Sequence, residues 1–144
     1  MMKINDVLHG KPSQAVVTIR PDATVRELVA LLAEHNVGAL VVSDDGERVS
    51  GIVSERDVVR RLHADESVLD TAVSEIMTAD VRTCTGGEAL TDLMQTMTEH
   101  RIRHVPVVAD GRLTGIISIG DVVKSRIGEL EFERDQLDHY VHQT

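Results

Sequence analysis

Two short segments of the chain place a serine three residues before an aspartate: Ser54 with Asp57, and Ser118 with Asp121. Each pair ends a β-branched run and begins a helical pattern, so the simplest interpretation is a helix N-cap that satisfies backbone N–H groups. The same groups could also bind a ligand. A carboxylate accepts two hydrogen bonds from the vicinal hydroxyls of a ribose, and a hydroxyl at a helix N-terminus suits a phosphate. Arg56 would add a guanidinium to the first pair.

Sequence patterns for catalysis or metal binding do not occur in the chain. It contains no Gly-x-x-x-x-Gly-Lys, no Gly-x-Gly-x-x-Gly after a strand, no His-Glu-x-x-His and no Gly-x-Ser-x-Gly. The seven histidines are scattered, and His35 and His100 lie where helices are expected to end, a position that the helix dipole favours. We therefore expect a protein that is not an enzyme, with no catalytic residue, no metal-binding residue and no catalytic cofactor.

Composition narrows the class of protein further. The net charge is −9 and aromatic residues make up 1% of the chain, which disfavours nucleic acid as a partner, apart from a local basic cluster at Arg60, Arg61 and His63. No apolar run approaches the ~20 residues that span a bilayer, so we expect a soluble, cytoplasmic protein with no membrane partner. Cys84 is the one cysteine, and we expect a buried structural thiol.

An internal repeat determines the predicted architecture. The segment 18–62 matches the segment 83–126, with an offset of 65 up to the hairpin turn of each copy and 64 beyond it. The missing residue falls in a hairpin loop, where a change of length is easiest to accommodate. Under this alignment the two Ser-x-x-Asp turns occupy equivalent positions and form a matched pair.

Each copy predicts a strand, a helix, two strands joined by a turn, and a second helix. Thr24 and Glu27 have the spacing of a capping box before an apolar helical face, and the strands flank an Asp-Gly turn. In the first copy we predict a strand at 16–19, a helix from 24, strands at 39–43 and 49–53, and a helix at 55–63. A linker at 64–68 and a short helix at 72–77 then lead to a helix from about 90, strands at 104–108 and 113–117, and a helix from about 120.

The sequence therefore predicts an α/β (α+β) fold of two βαββα repeats, packed with pseudo-two-fold symmetry and with clefts where they meet. The expected division is residues 1–65 for the first repeat with its N-terminal segment, 66–127 for the second repeat, and 128–144 for a C-terminal helix. In the tail, Ile127, Leu130, Leu137 and Val141 form a seam on one helix side. That seam could cover the protein's own core or pair with another subunit.

Five segments carry a resemblance to a known family. They are Glu-His-Asn-Val-Gly-Ala-Leu-Val-Val (34–42), Gly-Ile-Val-Ser-Glu-Arg-Asp-Val-Val (51–59), Val-Ser-Glu-Ile-Met-Thr (73–78), Glu-His-Arg-Ile-Arg-His-Val-Pro-Val-Val (99–108) and Gly-Ile-Ile-Ser-Ile-Gly-Asp-Val-Val (115–123). In this order they resemble the paired form of the cystathionine β-synthase (CBS) domain family, and the tail resembles that of small stand-alone bacterial members. The resemblance implies a non-catalytic regulatory sensor that binds AMP, ATP, NAD or a related adenosyl ligand.

The resemblance also implies which residues bind the ligand, because each family cleft combines strand residues of one copy with the Ser/Thr-x-x-Asp turn of the other. The first cleft would contain Met77, Ala79, Ile102, Arg103 and His104 together with Ile52, Ser54, Arg56 and Asp57. The second would contain Ser13, Gln14, Val37, Gly38 and Ala39 together with Ile116, Ser118 and Asp121. In each cleft two apolar side chains would sandwich the adenine, Ile52 with Ile102 or Val37 with Ile116.

The two clefts are expected to differ. The first carries Arg56 and Arg103, whereas the equivalent positions of the second are Gly120 and Gly38. We therefore expect the first cleft to bind the tighter or more phosphorylated ligand, and the second to bind weakly or stay empty. Val41 stands where the family pattern has a proline, a departure that affects strand geometry beside the second cleft.

Other functions stay open at this point. Helix caps and an aliphatic core would explain every motif residue in a ligand-free protein–protein interaction or dimerisation module, whose clefts would be plugged by side chains. A nucleotide-converting enzyme would need a nucleophile or metal site that the sequence does not supply. The expected partners are an adenine nucleotide, a second copy in a homodimer, and an unknown protein that responds to the ligand.

Overall fold

The computed structural model describes residues 1–12 and 16–142 of the chain. In chain order the elements are α1 (Ile4–His9), β1 (Thr18–Ile19), α2 (Val25–His35), β2 (Ala39–Val42), β3 (Gly51–Ser54), α3 (Glu55–Ala64), α4 (Leu90–His100), β4 (His104–Ala109), β5 (Arg112–Ser118) and α5 (Ile119–His142). Two short 3-10 helices, Glu66–Asp70 and Val73–Glu75, lie between α3 and α4. The mixed helix and strand content matches the predicted fold class.

The first repeat is built on a three-stranded sheet in the order β1–β2–β3. Strand β1 runs parallel to β2, and β2 pairs with β3 antiparallel, with Ala39 opposite Ser54. Every residue of β2 is buried, which accounts for the unbroken apolar run at this position. The first strand is shorter than the predicted 16–19, because only Thr18 and Ile19 pair with β2. Since α3 begins directly after Ser54, the register of this sheet fixes the position of the first Ser-x-x-Asp turn.

The second repeat has the same arrangement, but its first strand is even shorter than β1. Strands β4 and β5 are antiparallel, and His104 lies opposite Ser118, the pairing equivalent to that of β2 with β3. The counterpart of β1 is a single parallel bridge between Cys84 and Val107. The matching registers confirm the predicted repeat at the level of individual pairs.

Helices α2 and α4 cover the two sheets with equivalent apolar faces. The Thr24 hydroxyl caps α2, because it accepts a hydrogen bond from the Glu27 N–H at 3.2 Å. The buried residues are Val25, Leu28 and Leu32 in α2 and Leu90, Leu93 and Met97 in α4. Each of the first three is 65 positions before its counterpart, as the sequence alignment predicts.

The segments that precede the two repeats are exchanged between them. Ile4 and Val7 of α1 are buried in the core of the second repeat, whereas Val73 and Ile76 are buried in the core of the first. An equivalent backbone hydrogen bond anchors each segment, from the Ile4 N–H to the Glu88 carbonyl (3.0 Å) and from the Val73 N–H to the Ala23 carbonyl (2.8 Å). The expected division at 65/66 therefore follows the sequence repeat but not the membership of the two cores.

The last helix of the second repeat continues directly into the tail. Helix α5 is 24 residues long and crosses the expected boundary at residue 128 without a break. Val122 near its start is buried, but Ile127, Leu130 and Leu137 of the predicted seam are between 47% and 66% exposed. Among the described residues, these three side chains are therefore not part of either hydrophobic core.

Candidate functional site

Both Ser-x-x-Asp turns form the capping arrangement expected from the sequence. The Ser54 N–H donates to Asp57 Oδ2 (2.8 Å), and the Asp57 N–H donates to Ser54 Oγ (3.3 Å). In the second turn the Ser118 N–H donates to Asp121 Oδ2 (3.0 Å), and the Asp121 N–H donates to Ser118 Oγ (3.1 Å). These reciprocal bonds fix each carboxylate at the start of its helix. Within the described chain, Oδ1 of Asp57 accepts no hydrogen bond and is available to a ligand.

The first turn faces the start of β4 across a cleft of about 470 Å³ between the two repeats. A cleft of this volume is within the range of roughly 300–1,000 Å³ that is typical of small-molecule sites. Seven residues predicted for the first cleft line it: Ile52, Ser54, Arg56, Asp57, Ile102, Arg103 and His104. The structure thus brings together the turn of one repeat and the strand residues of the other.

Met77 and Ala79 do not line this cleft, whereas Thr78 between them does. Thr78 pairs with Ile52 through two backbone hydrogen bonds of 2.9 and 3.0 Å. Because successive side chains of an extended segment point to opposite sides, Met77 is turned toward the core of the first repeat, where it packs beside Gly51. Ala79 is exposed. The sequence motif identified the right segment and was one residue away from the lining position.

The cleft carries more positive charge than the sequence motif indicated. Its lining includes four arginines, Arg56, Arg60, Arg101 and Arg103, against the two carboxylates of Glu55 and Asp57. None of the four guanidinium groups forms an ion pair within residues 1–12 and 16–142. Arg60 lies one helical turn after Arg56, a spacing that could have revealed it from the sequence. In a chain of net charge −9, this is a local basic site suited to an anion.

Arg101 reaches the cleft from an uncommon backbone conformation. It ends α4 in the left-handed region with φ 54°, where the first repeat has Asn36 with φ 51°. Asparagine tolerates this conformation, whereas an arginine there costs on the order of 1 kcal/mol. Strained residues of this kind cluster at binding sites. The alignment with Asn36 is the one sequence signal that could have marked this position.

His104 lies at the junction of the two repeats. Two atoms of its imidazole lie 3.5–3.6 Å from the point that a Cβ on Gly38 would occupy, so the glycine leaves room for the ring. Burial lowers the pKa of His104 below its ordinary value, while the carboxylates of Asp121 and Glu55 act in the opposite direction. The imidazole is therefore neutral at pH 7 and offers one donor and one acceptor to the cleft.

The residues predicted for the second cleft are divided between different places. Gly38, Ala39 and Ser118 line the same cleft as Arg56. Val37 lies in a separate shallow groove between α2 and α3. Ser13 and Gln14 fall outside the described residues, as do the contacts that rest on them. The second cleft therefore stays a prediction, because part of its expected lining lies outside the described residues.

Ile116 and Asp121, the remaining predicted residues, are both bound by one lysine. Lys11 Nζ lies 3.0 Å from Asp121 Oδ2 and donates to the Ile116 carbonyl at 2.9 Å. Burial by itself would raise the pKa of Asp121. The Ser118 N–H and the Lys11 ammonium outweigh this and lower the pKa below its ordinary value. The second carboxylate is therefore ionised and already paired.

Three further features of the described chain concern metal ligands, membrane-spanning helices and the cysteine. Residues 1–12 and 16–142 contain no group of three or more His, Cys, Asp or Glu side chains that could hold a metal ion. No helix among them is long and apolar enough to cross a membrane. Cys84 is buried, as predicted, and its thiol donates to the Pro106 carbonyl at 3.7 Å. Burial, with Glu88 nearby, raises the pKa of this thiol to about 12.

Comparison with known proteins identifies the family to which this fold and cleft belong. The sequence profile of the CBS domain matches residues 4–64 and 73–128. The chain therefore belongs to the CBS domain family and carries two copies of the domain. This confirms the family that the five sequence segments indicated.

Relatives and solved structures agree with this assignment. The chain is 38% identical to the mitochondrial CBS domain-containing protein CBSX3 of Arabidopsis thaliana over 146 residues, which cover 96% of this chain and 71% of that protein. The crystal structure of the CBS-domain containing protein ATU1752 from Agrobacterium tumefaciens is similar with a TM-score of 0.82 and 44% identity, covering 87% of this chain and 99% of that one. The CBS domain pair of protein MJ0100 is similar with a TM-score of 0.78 and 26% identity, covering 89% and 98% of the two chains. That pair was solved in complex with 5′-methylthioadenosine and S-adenosyl-L-methionine.

Proposed function

We propose that this protein is a non-catalytic regulatory module that binds a phosphorylated adenine nucleotide, such as AMP, ATP or NAD, in the cleft beside Arg56. The observation that carries the proposal is the lining of this cleft: a capped aspartate and apolar side chains lie next to four arginines without ion-pair partners in the described chain. The arginines suit the phosphates of a nucleotide, and the aspartate with the apolar side chains suits its adenosine.

The arginines favour a phosphate-bearing ligand over a neutral nucleoside. A guanidinium forms paired, charge-assisted hydrogen bonds with phosphate oxygens. Arg56 and Arg60 approach from α3, whereas Arg101 and Arg103 approach from the segment between α4 and β4. An anion bound between them would neutralise repulsion across the cleft, so the affinity should rise with the number of phosphates.

The other side of the cleft fits adenosine. Ile52 and Ile102 are half-buried apolar residues on opposite repeats and could enclose a flat base. Asp57 Oδ2 is used by the cap, and Oδ1 remains for a ribose hydroxyl. The adenosyl ligands of the MJ0100 domain pair support this assignment by similarity. Because the lining comes from both repeats, ligand binding would stabilise one relative position of the two and so act as a signal.

A second copy of the chain is the partner that the helix surfaces favour. Val59 on α3 and Val123 on α5 are equivalent residues of the two repeats, and they are 64% and 47% exposed. Leu62 and Ile127 extend the same apolar surfaces. A patch that is repeated about a pseudo-two-fold axis is suited to a self-complementary contact, so we propose a homodimer through α3 and α5.

Calorimetric titration with ATP, AMP and adenosine tests the ligand proposal. We expect wild-type protein to bind ATP more tightly than AMP, and AMP more tightly than adenosine. Arg56→Gln and Arg103→Gln should each weaken ATP binding by roughly tenfold, because each removes a charge-assisted contact worth about 1.5 kcal/mol or more. Asp57→Asn should weaken all three ligands.

Matched variants outside the cleft control for charge and for helix capping. Arg26→Gln removes a guanidinium from α2 that pairs with Asp70. Asp92→Asn removes an exposed carboxylate from the first turn of α4. Both should bind ATP like the wild type. Equal affinity of the wild type and Arg56→Gln, or no binding of any ligand below about 1 mM, would contradict the proposal.

A further inference from the structure

Lys11 gives the two Ser-x-x-Asp turns different surroundings. Its ammonium lies 3.0 Å from Asp121 Oδ2, and both side chains are only 24% exposed. The equivalent carboxylate of Asp57 has no cationic partner within 4.0 Å in the described chain. A cation therefore lies against the carboxylate of the second turn, whereas the described chain places none within that distance of the first.

The same lysine also contacts the end of the strand that precedes the second turn. In the first repeat the Ile52 carbonyl accepts a hydrogen bond from the Thr78 N–H at 2.9 Å. In the second repeat the equivalent carbonyl, that of Ile116, accepts from Lys11 Nζ at 2.9 Å. One flexible side chain therefore spans the strand end and the turn of the second repeat, which are the two parts that a ligand would have to contact.

We propose that Lys11 is a specificity-determining residue that closes the second turn to adenosyl ligands and confines binding to the cleft beside Arg56. This inference rests on the proposed function of that cleft. A ribose that binds this carboxylate must displace the ammonium from Oδ2 or fit beside it, and a half-buried carboxylate exchanges a charged donor for a neutral one at a loss. In this proposal the ammonium of Lys11 occupies the place that a ligand group would take, and it does not bind the ligand.

Lys11→Met tests the inference by removing the charge while keeping an unbranched side chain. In calorimetric titration with ATP, the wild type should bind one nucleotide per chain. Lys11→Met should show a second binding event, with affinity at the second turn raised roughly tenfold or more. That second event should disappear when Asp121→Asn is added. Lys124→Met is the matched control, because Lys124 is an exposed cation one turn further along α5, and it should bind one nucleotide like the wild type.

A measurement without ligand tests the contact itself. The side-chain carboxyl carbon of Asp121 can be followed by NMR while the pH is lowered. In the wild type the carboxyl should stay ionised to a lower pH than an ordinary aspartate, and Lys11→Met should move its titration upward. Lys124→Met should leave it unchanged. Identical titration in the wild type and Lys11→Met would overturn the inference.

The binding outcomes separate this inference from the function on which it rests. If the wild type binds no nucleotide, the proposed function of the Arg56 cleft fails. If the wild type binds one nucleotide and Lys11→Met gains none, the Lys11 inference alone is wrong. Weaker binding by Lys11→Met would also overturn it, because that result would make the lysine a phosphate ligand instead.

Discussion

Asp57 and Asp121 form the same cap and have different neighbours. Each accepts from the backbone N–H of its serine, at 2.8 and 3.0 Å. Four arginines that line the cleft of Asp57 lack ion-pair partners in the described chain, whereas Asp121 is paired with Lys11. Capping is thus a property of the repeat, whereas the charged groups around each cap differ between the two copies.

At the residue scale, Cys84 provides a test of burial that does not involve the ligand. Its thiol pKa is raised to about 12 because the group is buried, with Glu88 as a further cause. At pH 8 the thiolate fraction is therefore on the order of 10⁻⁴, and alkylation by iodoacetamide should be far slower than in the unfolded chain. The rate should rise only as the pH approaches the raised pKa. Labelling of native protein at the rate of the urea-unfolded protein would contradict this burial.

The sequence predicted the chemistry of single residues better than their exact positions. The cleft is lined, as the motifs indicated, by the first Ser-x-x-Asp turn with Arg56 and by residues 102–104. Thr78 was missed in favour of its neighbours, because the register of an irregular segment depends on a bridge to Ile52. Lys11 was missed because a contact across 110 positions leaves no local pattern.

At the element scale, two equivalent glycines mark where an exchanged segment crosses a strand. A Cβ on Gly51 would lie 2.7 Å from Met77 Sδ and 2.9 Å from the Thr78 carbonyl oxygen. A Cβ on Gly115 would lie 2.8 Å from Cδ2 of Leu8. Glycine allows another segment to pass close to the strand at both positions. The nearest atoms include a backbone atom only at Gly51, whereas at Gly115 they belong to a side chain.

Gly51→Ala should consequently destabilise the protein more than Gly115→Ala. Backbone at the Thr78 carbonyl cannot move aside as the end of a leucine can, so we expect about 1–3 kcal/mol for Gly51→Ala and a smaller loss for Gly115→Ala. Urea unfolding followed by circular dichroism measures both differences. An equal decrease in the free energy of unfolding for the two variants would contradict this prediction.

The helices and strands of the repeats were predictable from the sequence. The packing of the segment before each repeat into the core of the other repeat was not. Helix α2, with its Thr24 cap, and the central hairpins follow strong local patterns, and the structure has them within a few residues of the prediction. Helix α1 has only six residues, and its buried side chains Ile4 and Val7 gain their contacts in the second repeat. A helix that depends on distant contacts has no local signal strong enough to predict it.

At the scale of the whole molecule, the exchange of segments makes the two repeats interdependent. Each core is completed by a segment that precedes the other repeat in the chain. A ligand that contacts both repeats would therefore act on a single cooperative unit, and the exposed faces of α3 and α5 would transmit the change to a partner.

Those exposed faces lead to a prediction about assembly. Val59→Glu combined with Val123→Glu places charge on both apolar surfaces and should convert the proposed dimer to a monomer, because a buried unpaired carboxylate is strongly unfavourable. Sedimentation velocity measures the change. Thr91→Glu, on the exposed first turn of α4, is the matched control and should remain dimeric. A wild type that sediments as a monomer at all concentrations would contradict the proposed interface.

Titration of ¹⁵N-labelled protein with ATP, followed through the backbone amides by NMR, tests the central claim most directly, since it reports binding and location together. We predict saturation at one ATP per chain, with the largest shifts at residues 52–57 and 101–104. The amides around Asp121 should shift less. No shift up to about 1 mM ATP, or shifts confined to surfaces away from the cleft beside Arg56, would contradict the account.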